Sequence, residues 1–172
     1  MTTNSKLTLP ALALMAALAG CATDPARRPD AVPSLGGLFG SGLSPALESQ
    51  RLRLEQALSG TPVVIEATGD RRLRVEVPAR FSFDPGRAAV KPALAAVLDQ
   101  LAVGFKPQAA TTELRVGVPA GNDASPRLVQ ERGASTRDYL IGRGVPVSRI
   151  VGVSQAMGGV LEIVVSDRSA AP

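Results

Sequence analysis

The sequence predicts an α/β (α+β) domain, a two-layer sandwich in which a mixed sheet is covered by two main helices. Three observations predict it. Leu73, Val75 and Val77 alternate with Arg72, Arg74 and Glu76, and Leu114, Val116 and Val118 repeat the pattern, which is the period of half-buried strands. Leu94, Val97, Leu98 and Leu101 recur at the spacing of one helical face. Strand and helix patterns then alternate along the chain, with hairpins expected at the ends, and such an order layers helices on a sheet.

The elements follow in order. Residues 45–58 read as a helix with Leu47, Leu54 and Leu58 on one stripe, stopped by Ser59-Gly60. Residues 62–66 and 72–77 read as two strands of a hairpin turning at Gly69-Asp70. Residues 81–84 are expected to form a loop, and Lys91-Pro92 opens the next helix. After the strand at 113–118, Ser125-Pro126 is a strong helix start, because serine caps the free N–H groups and proline tolerates the first helical position. That helix should end at Gly142-Arg143-Gly144, ahead of strands at 149–153 and 160–165 separated by Gly158-Gly159. Leu73, Val75, Leu114, Val116, Ile163 and Val165 are the expected sheet core, with Leu94, Leu98, Leu101 and Leu128 supplied by the helices.

The N-terminus carries a different kind of signal. Residues 7–19 form an apolar run after Lys6, long enough for a signal-peptide core but shorter than the ~20 residues that span a bilayer. It closes on Leu18-Ala19-Gly20-Cys21, which resembles the lipobox of bacterial lipoproteins. The alternative is an ordinary signal peptide with an incidental cysteine. By the resemblance, residues 1–20 are removed and Cys21 carries a thioether-linked diacylglyceryl group and an acylated (for example palmitoylated) amino terminus. Two or more acyl chains suffice for stable anchoring without a transmembrane helix. Ala22 stands where inner-membrane lipoproteins often carry Asp, which implies the outer membrane. Residues 21–44, rich in Pro, Gly, Ala and Ser, read as a flexible tether reaching about 25–30 Å as a coil. Within it Leu35, Leu38 and Phe39 are either a small docking motif or incidental. The domain then occupies 45–168, with a helix and hairpin over 45–79 and the core module over 80–168.

Composition narrows the function. Among 172 residues there is no histidine, one cysteine, one tyrosine, no tryptophan and four phenylalanines. The usual general base and commonest metal ligand are missing, and the lone thiol is assigned to lipid, so neither a catalytic centre, a metal site nor a cofactor is expected. A net charge of +4 is mild, and aromatic platforms for bases are lacking, which argues against a nucleic-acid partner.

Phe83-Asp84-Pro85-Gly86-Arg87-Ala88 resembles the Phe-Asp-x-Gly-Ser-Ala opening of the OmpA-like C-terminal domain, the module also found in peptidoglycan-associated lipoprotein. Lys91-Pro92 and its Ala- and Leu-rich helix match that family's next element. Leu128, Arg132, Tyr139 and Leu140 keep the spacing of its Asn-x-x-Leu-Ser-x-x-Arg-Ala helix ending in Tyr-Leu, and Gly144-Val145 with Arg149-Ile150 match its Gly-Val-x-x-x-Arg-Ile. The resemblance implies non-covalent binding of the peptidoglycan stem peptide, an aspartate in Gly-His-Thr-Asp holding an ammonium and the helix arginine pairing a carboxylate. Arg132 takes the arginine's place; a structural arginine is the competing account. Where the family reads Gly-His-Thr-Asp this chain reads Gly117-Val118-Pro119-Ala120, the following loop is about three residues shorter, and the closing Asn-Arg-Arg is absent. Asn122 or Asp123 could stand in for the missing anion, and Asp123 could equally be an exposed turn residue. Two functions are therefore expected: an outer-membrane lipoprotein that associates with peptidoglycan, or a degenerate domain that serves envelope proteins as an interaction or assembly module.

Overall fold

The computed structural model describes residues 42–119 and 125–168. By its contacts the chain divides into two units, Met1–Leu35 and Gly36–Pro172, and every described residue lies in the second.

The fold opens with helix α1 (Pro45–Ala57), whose N-cap Ser44 accepts a hydrogen bond from the N–H of Leu47 at 3.3 Å. The same hydroxyl donates to Asp167 at 2.9 Å, fastening the start of the fold to its end. Strands β1 (Val64–Ala67) and β2 (Leu73–Pro78) form the expected antiparallel hairpin, Ile65 opposite Val75. A one-turn helix, α2 (Ala79–Ser82), follows directly where a loop was expected. Its turn is stitched by Ser82, which is fully buried and whose hydroxyl lies within donating distance of the carbonyls of Val77 and Pro78. Helix α3 (Pro92–Phe105) begins at proline, and β3 (Thr112–Pro119) leads through helix α4 (Pro126–Gly142) to β4 (Ile150–Ala156) and β5 (Val160–Asp167).

The five strands form one mixed sheet in the order β1-β2-β5-β3-β4. β5 lies between β2 and β3, antiparallel to both, while β3 and β4 are parallel. The expected hairpin at the C-terminal end does not exist: β4 and β5 are joined by a short turn yet lie on opposite sides of β3. The register explains the core. Val165 faces Leu73 on one side and Leu114 on the other, and Ile163 faces Val75 and Val116, so two apolar rows cross three strands, every member fully buried. Leu94, Leu98 and Leu101 of α3 close over them with no exposure. α4 packs on β3 and β4, α3 lies between α4 and α1, and α1 in turn meets β1 and β5, so the expected two covering helices are joined by a third. The opposite face of the sheet carries Arg74, which pairs with Glu66, Glu76 and Glu162 from three strands.

One expected core residue is misplaced. Leu128 is half-buried, and Val129 points inward instead, in a stripe with Arg132, Gly133, Thr136 and Leu140. The shift arises because α4 approaches the sheet through Gly133. A Cβ there would sit 2.2 Å from Val153 and 3.3 Å from Val118, so the absence of a side chain sets how close the helix lies and which face it turns inward.

Candidate functional site

The candidate site is built where the turn before α3 meets the first half of α4. Asp84-Pro85-Gly86-Arg87 folds as a turn in which Arg87 N–H donates to the Asp84 carbonyl at 3.1 Å. Gly86 has φ +66°, and proline followed by a positive-φ glycine is the pattern of a type II turn. A bridge between Phe83 and Val90, and a bond from Lys91 N–H to the Ser82 carbonyl at 3.1 Å, close the loop at its base. The Asp84 carboxylate pairs with Lys91 at 2.9 Å. Hydrogen bonding and attraction from Lys91 hold that carboxyl below its usual range.

Arg132 reaches this loop from α4. It is 7 % exposed; its Nε donates to the Arg87 carbonyl at 3.0 Å and its Nη2 to the Asp84 carbonyl at 3.2 Å. The guanidinium centre stands 5.0 Å from the centroid of the Phe83 ring, within cation–π range. Two backbone carbonyls and an aromatic face therefore orient the arginine. An acid partner for it is expected from the cost of a buried lone charge, but no carboxylate of the described residues lies within ion-pair distance; Asp84 presents its carbonyl to Arg132 and its carboxylate to Lys91. The Nη1 group and one Nη2 hydrogen have no protein partner among the described residues. The arrangement leaves part of a rigid, oriented fork for an anion, and a carboxylate matches its geometry.

The stretch aligned with the family's aspartate cannot supply an anion. Gly117, Val118 and Pro119 belong to β3, Val118 is fully buried, and Pro119 is paired opposite Ala156. Asn122 and Asp123 lie outside the described residues, as does Cys21. The described residues contain no cluster of acids, histidines or cysteines suited to a metal ion, and no helix long and apolar enough to cross a membrane.

Sequence reasoning missed the two carbonyls that hold Arg132; the signal available was Pro85-Gly86, which fixes a turn and so fixes where those carbonyls point. It also missed a second joint between α3 and α4. Tyr139 donates to Asp99 at 2.9 Å, and Arg143 reaches both Asp99, at 2.9 Å, and the Tyr139 hydroxyl, at 2.6 Å.

No protein-family model matches the chain. It is 31 % identical over 115 residues to the probable lipoprotein YiaD of Escherichia coli (strain K12), a match covering 65 % of this chain and 52 % of that protein; the chain thus spans about half the length of the relative it matches. The structure superimposes on a MotB-like protein from Desulfovibrio vulgaris with a TM-score of 0.56 at 14 % identity, covering 72 % of this chain and 92 % of that one. It superimposes on the cell wall anchor of the T6SS from Pseudomonas aeruginosa with a TM-score of 0.52 at 18 % identity, covering 69 % and 99 %. It superimposes on the periplasmic domain of Helicobacter pylori MotB with a TM-score of 0.54 at 15 % identity, covering 64 % and 83 %. At these identities the likeness establishes a shared fold.

Proposed function

We propose that this protein is a non-catalytic lipoprotein of the bacterial cell envelope, anchored in the outer membrane through Cys21, whose domain associates with the peptidoglycan stem peptide through Arg132. One observation carries the reading. Arg132 is buried, oriented by the carbonyls of Asp84 and Arg87, and meets no acid among the described residues. A buried charge without a counter-charge is costly, and a ligand carboxylate supplies one. Similarity to a probable lipoprotein and a fold shared with a cell wall anchor support the same setting.

Binding is expected to be weak. The family grips a zwitterion from both ends, whereas Gly117, Val118 and Pro119, at the end of β3 where the family's motif would lie, carry no anion. One charge-assisted hydrogen bond contributes about 1.5–3 kcal/mol, so its loss weakens binding by roughly ten- to a hundredfold. Purified residues 36–172 should co-sediment with sacculi to that reduced degree. Arg132→Ala should abolish the remainder, and Arg132→Lys, which keeps the charge but loses the fork, should restore little. Binding that Arg132→Ala leaves intact in a folded variant sinks the site. The burial of Val118 favours a second reading, in which the domain keeps its fold for an envelope protein partner; an absence of co-sedimentation at any concentration selects it.

The anchor is tested separately. Cys21→Ser in the full chain should eliminate acyl labelling and release the protein from membranes. Unchanged membrane fractionation of that variant places the anchor elsewhere.

A further inference from the structure

The two edges of the sheet are unlike. At one edge, β1 is four residues long, and Glu66 is tied to Arg74 of its neighbour. At the other, β4 has seven residues and pairs only with β3 among the described residues. Among the described residues, nothing pairs with the row of backbone N–H and C=O groups on its outer side. Natural sheets usually protect such an edge with charge, proline, shortness or a bulge. β4 has the bulge alone: its sequence is Ile-Val-Gly-Val-Ser-Gln-Ala, with Arg149 before it and the first charged residue after it at Glu162. A bulge at Val151, between the Ile150–Leu114 and Gly152–Arg115 pairs, is the single interruption, and the register is regular from Gly152 to Ala156. Val151, Val153 and Met157 are 41, 40 and 96 % exposed, so an apolar fringe accompanies the open backbone.

We infer that the β4 edge is the interface for a second copy of this chain, the two β4 strands pairing antiparallel about a two-fold axis. Self-pairing of one edge is isologous and closes on itself. The resulting ten-stranded sheet has only the short, charged β1 edges outside, so assembly stops at two. Charge suits this occupant. With the axis at any residue from Gly152 to Ser154, Arg149 falls opposite an uncharged residue between Gln155 and Gly159, and no like charges meet. The pair is independent of the Arg132 site, and in an anchored protein it places two such sites on one assembly, raising the effective concentration of each for a polymeric ligand.

The test is sedimentation equilibrium of residues 36–172, a unit with its own core, across tens to hundreds of micromolar. The expected mass moves from one copy towards two as concentration rises. Val151→Lys with Ser154→Lys, both on the open edge, should return it to one copy with an unchanged far-ultraviolet spectrum. Val64→Lys, at the β1 edge, should leave the dimer intact. A single copy at every concentration, a dimer that the β4 variant retains, or one that Val64→Lys abolishes overturns the inference. Hydrogen exchange on the unsubstituted chain provides a check free of folding defects: amides within 150–156 should gain protection as concentration rises, and concentration-independent exchange there also overturns it.

Discussion

Arg132 and Asp84 meet at one turn, and neither role follows from residue type alone. Arg132 spends its donors on two carbonyls instead of an acid, and Asp84 divides its work, giving its carbonyl to Arg132 and its carboxylate to Lys91. Because Lys91 depresses the Asp84 pKa, the sign of its pH effect is fixed. The pairing stabilises the fold above the unfolded carboxylate value of ~3.9 and is lost as pH falls through the lower folded value. Replacing Lys91 with Met should move the Asp84 titration midpoint upward, read from its side-chain carboxyl by NMR; a midpoint that stays put would mean the ion pair does not form in solution. The arginine's inward position was read from its spacing with Leu128 and Tyr139, and it holds although Leu128 itself is only half-buried. The carbonyls that hold it were not legible, because they belong to a turn forty-five residues earlier in the chain.

At the level of elements, α4 shows which signals are local. Ser125 accepts from Leu128 N–H at 3.2 Å, and Pro126 occupies the first turn. The far end closes with Gly144 at φ +89°, its N–H donating to Ile141, while Val145 N–H donates to Leu140 and both apolar side chains are buried. That pattern is a Schellman cap, written in Gly144-Val145. Gly133 is not local in this sense. Alanine in a helix ordinarily gains ~1 kcal/mol over glycine, but here its Cβ would collide with Val153 on β4. Gly133→Ala should therefore destabilise the protein by about 1–3 kcal/mol in denaturant unfolding. Val153→Ala in the same chain should recover most of that loss, since the two positions share one contact. A stabilising Gly133→Ala would show that α4 lies farther from the sheet.

For the molecule as a whole, stability rests on the two apolar rows centred on β5 and the helices above them. Leu98 is fully buried over those rows, and Leu98→Ala should cost about 2–5 kcal/mol. A cost below ~1 kcal/mol would place α3 outside the core. The same rows fix the topology. β5 must enter between β2 and β3 so that Ile163 and Val165 can touch apolar partners on both sides, which leaves β4 at the edge.

Patterns that act over a few residues were legible in the chain alone: strand alternation, the α3 stripe, the serine-proline start of α4, the β1–β2 hairpin. These follow from backbone period and capping chemistry, which act between near neighbours. Tertiary structure decided which strands neighbour one another, because an alternating strand carries the same pattern beside any partner. It decided the inward face of α4, where the close approach at Gly133 favours Val129 over Leu128. It also decided the state of Arg132, whose partners are backbone atoms that no side-chain pattern marks.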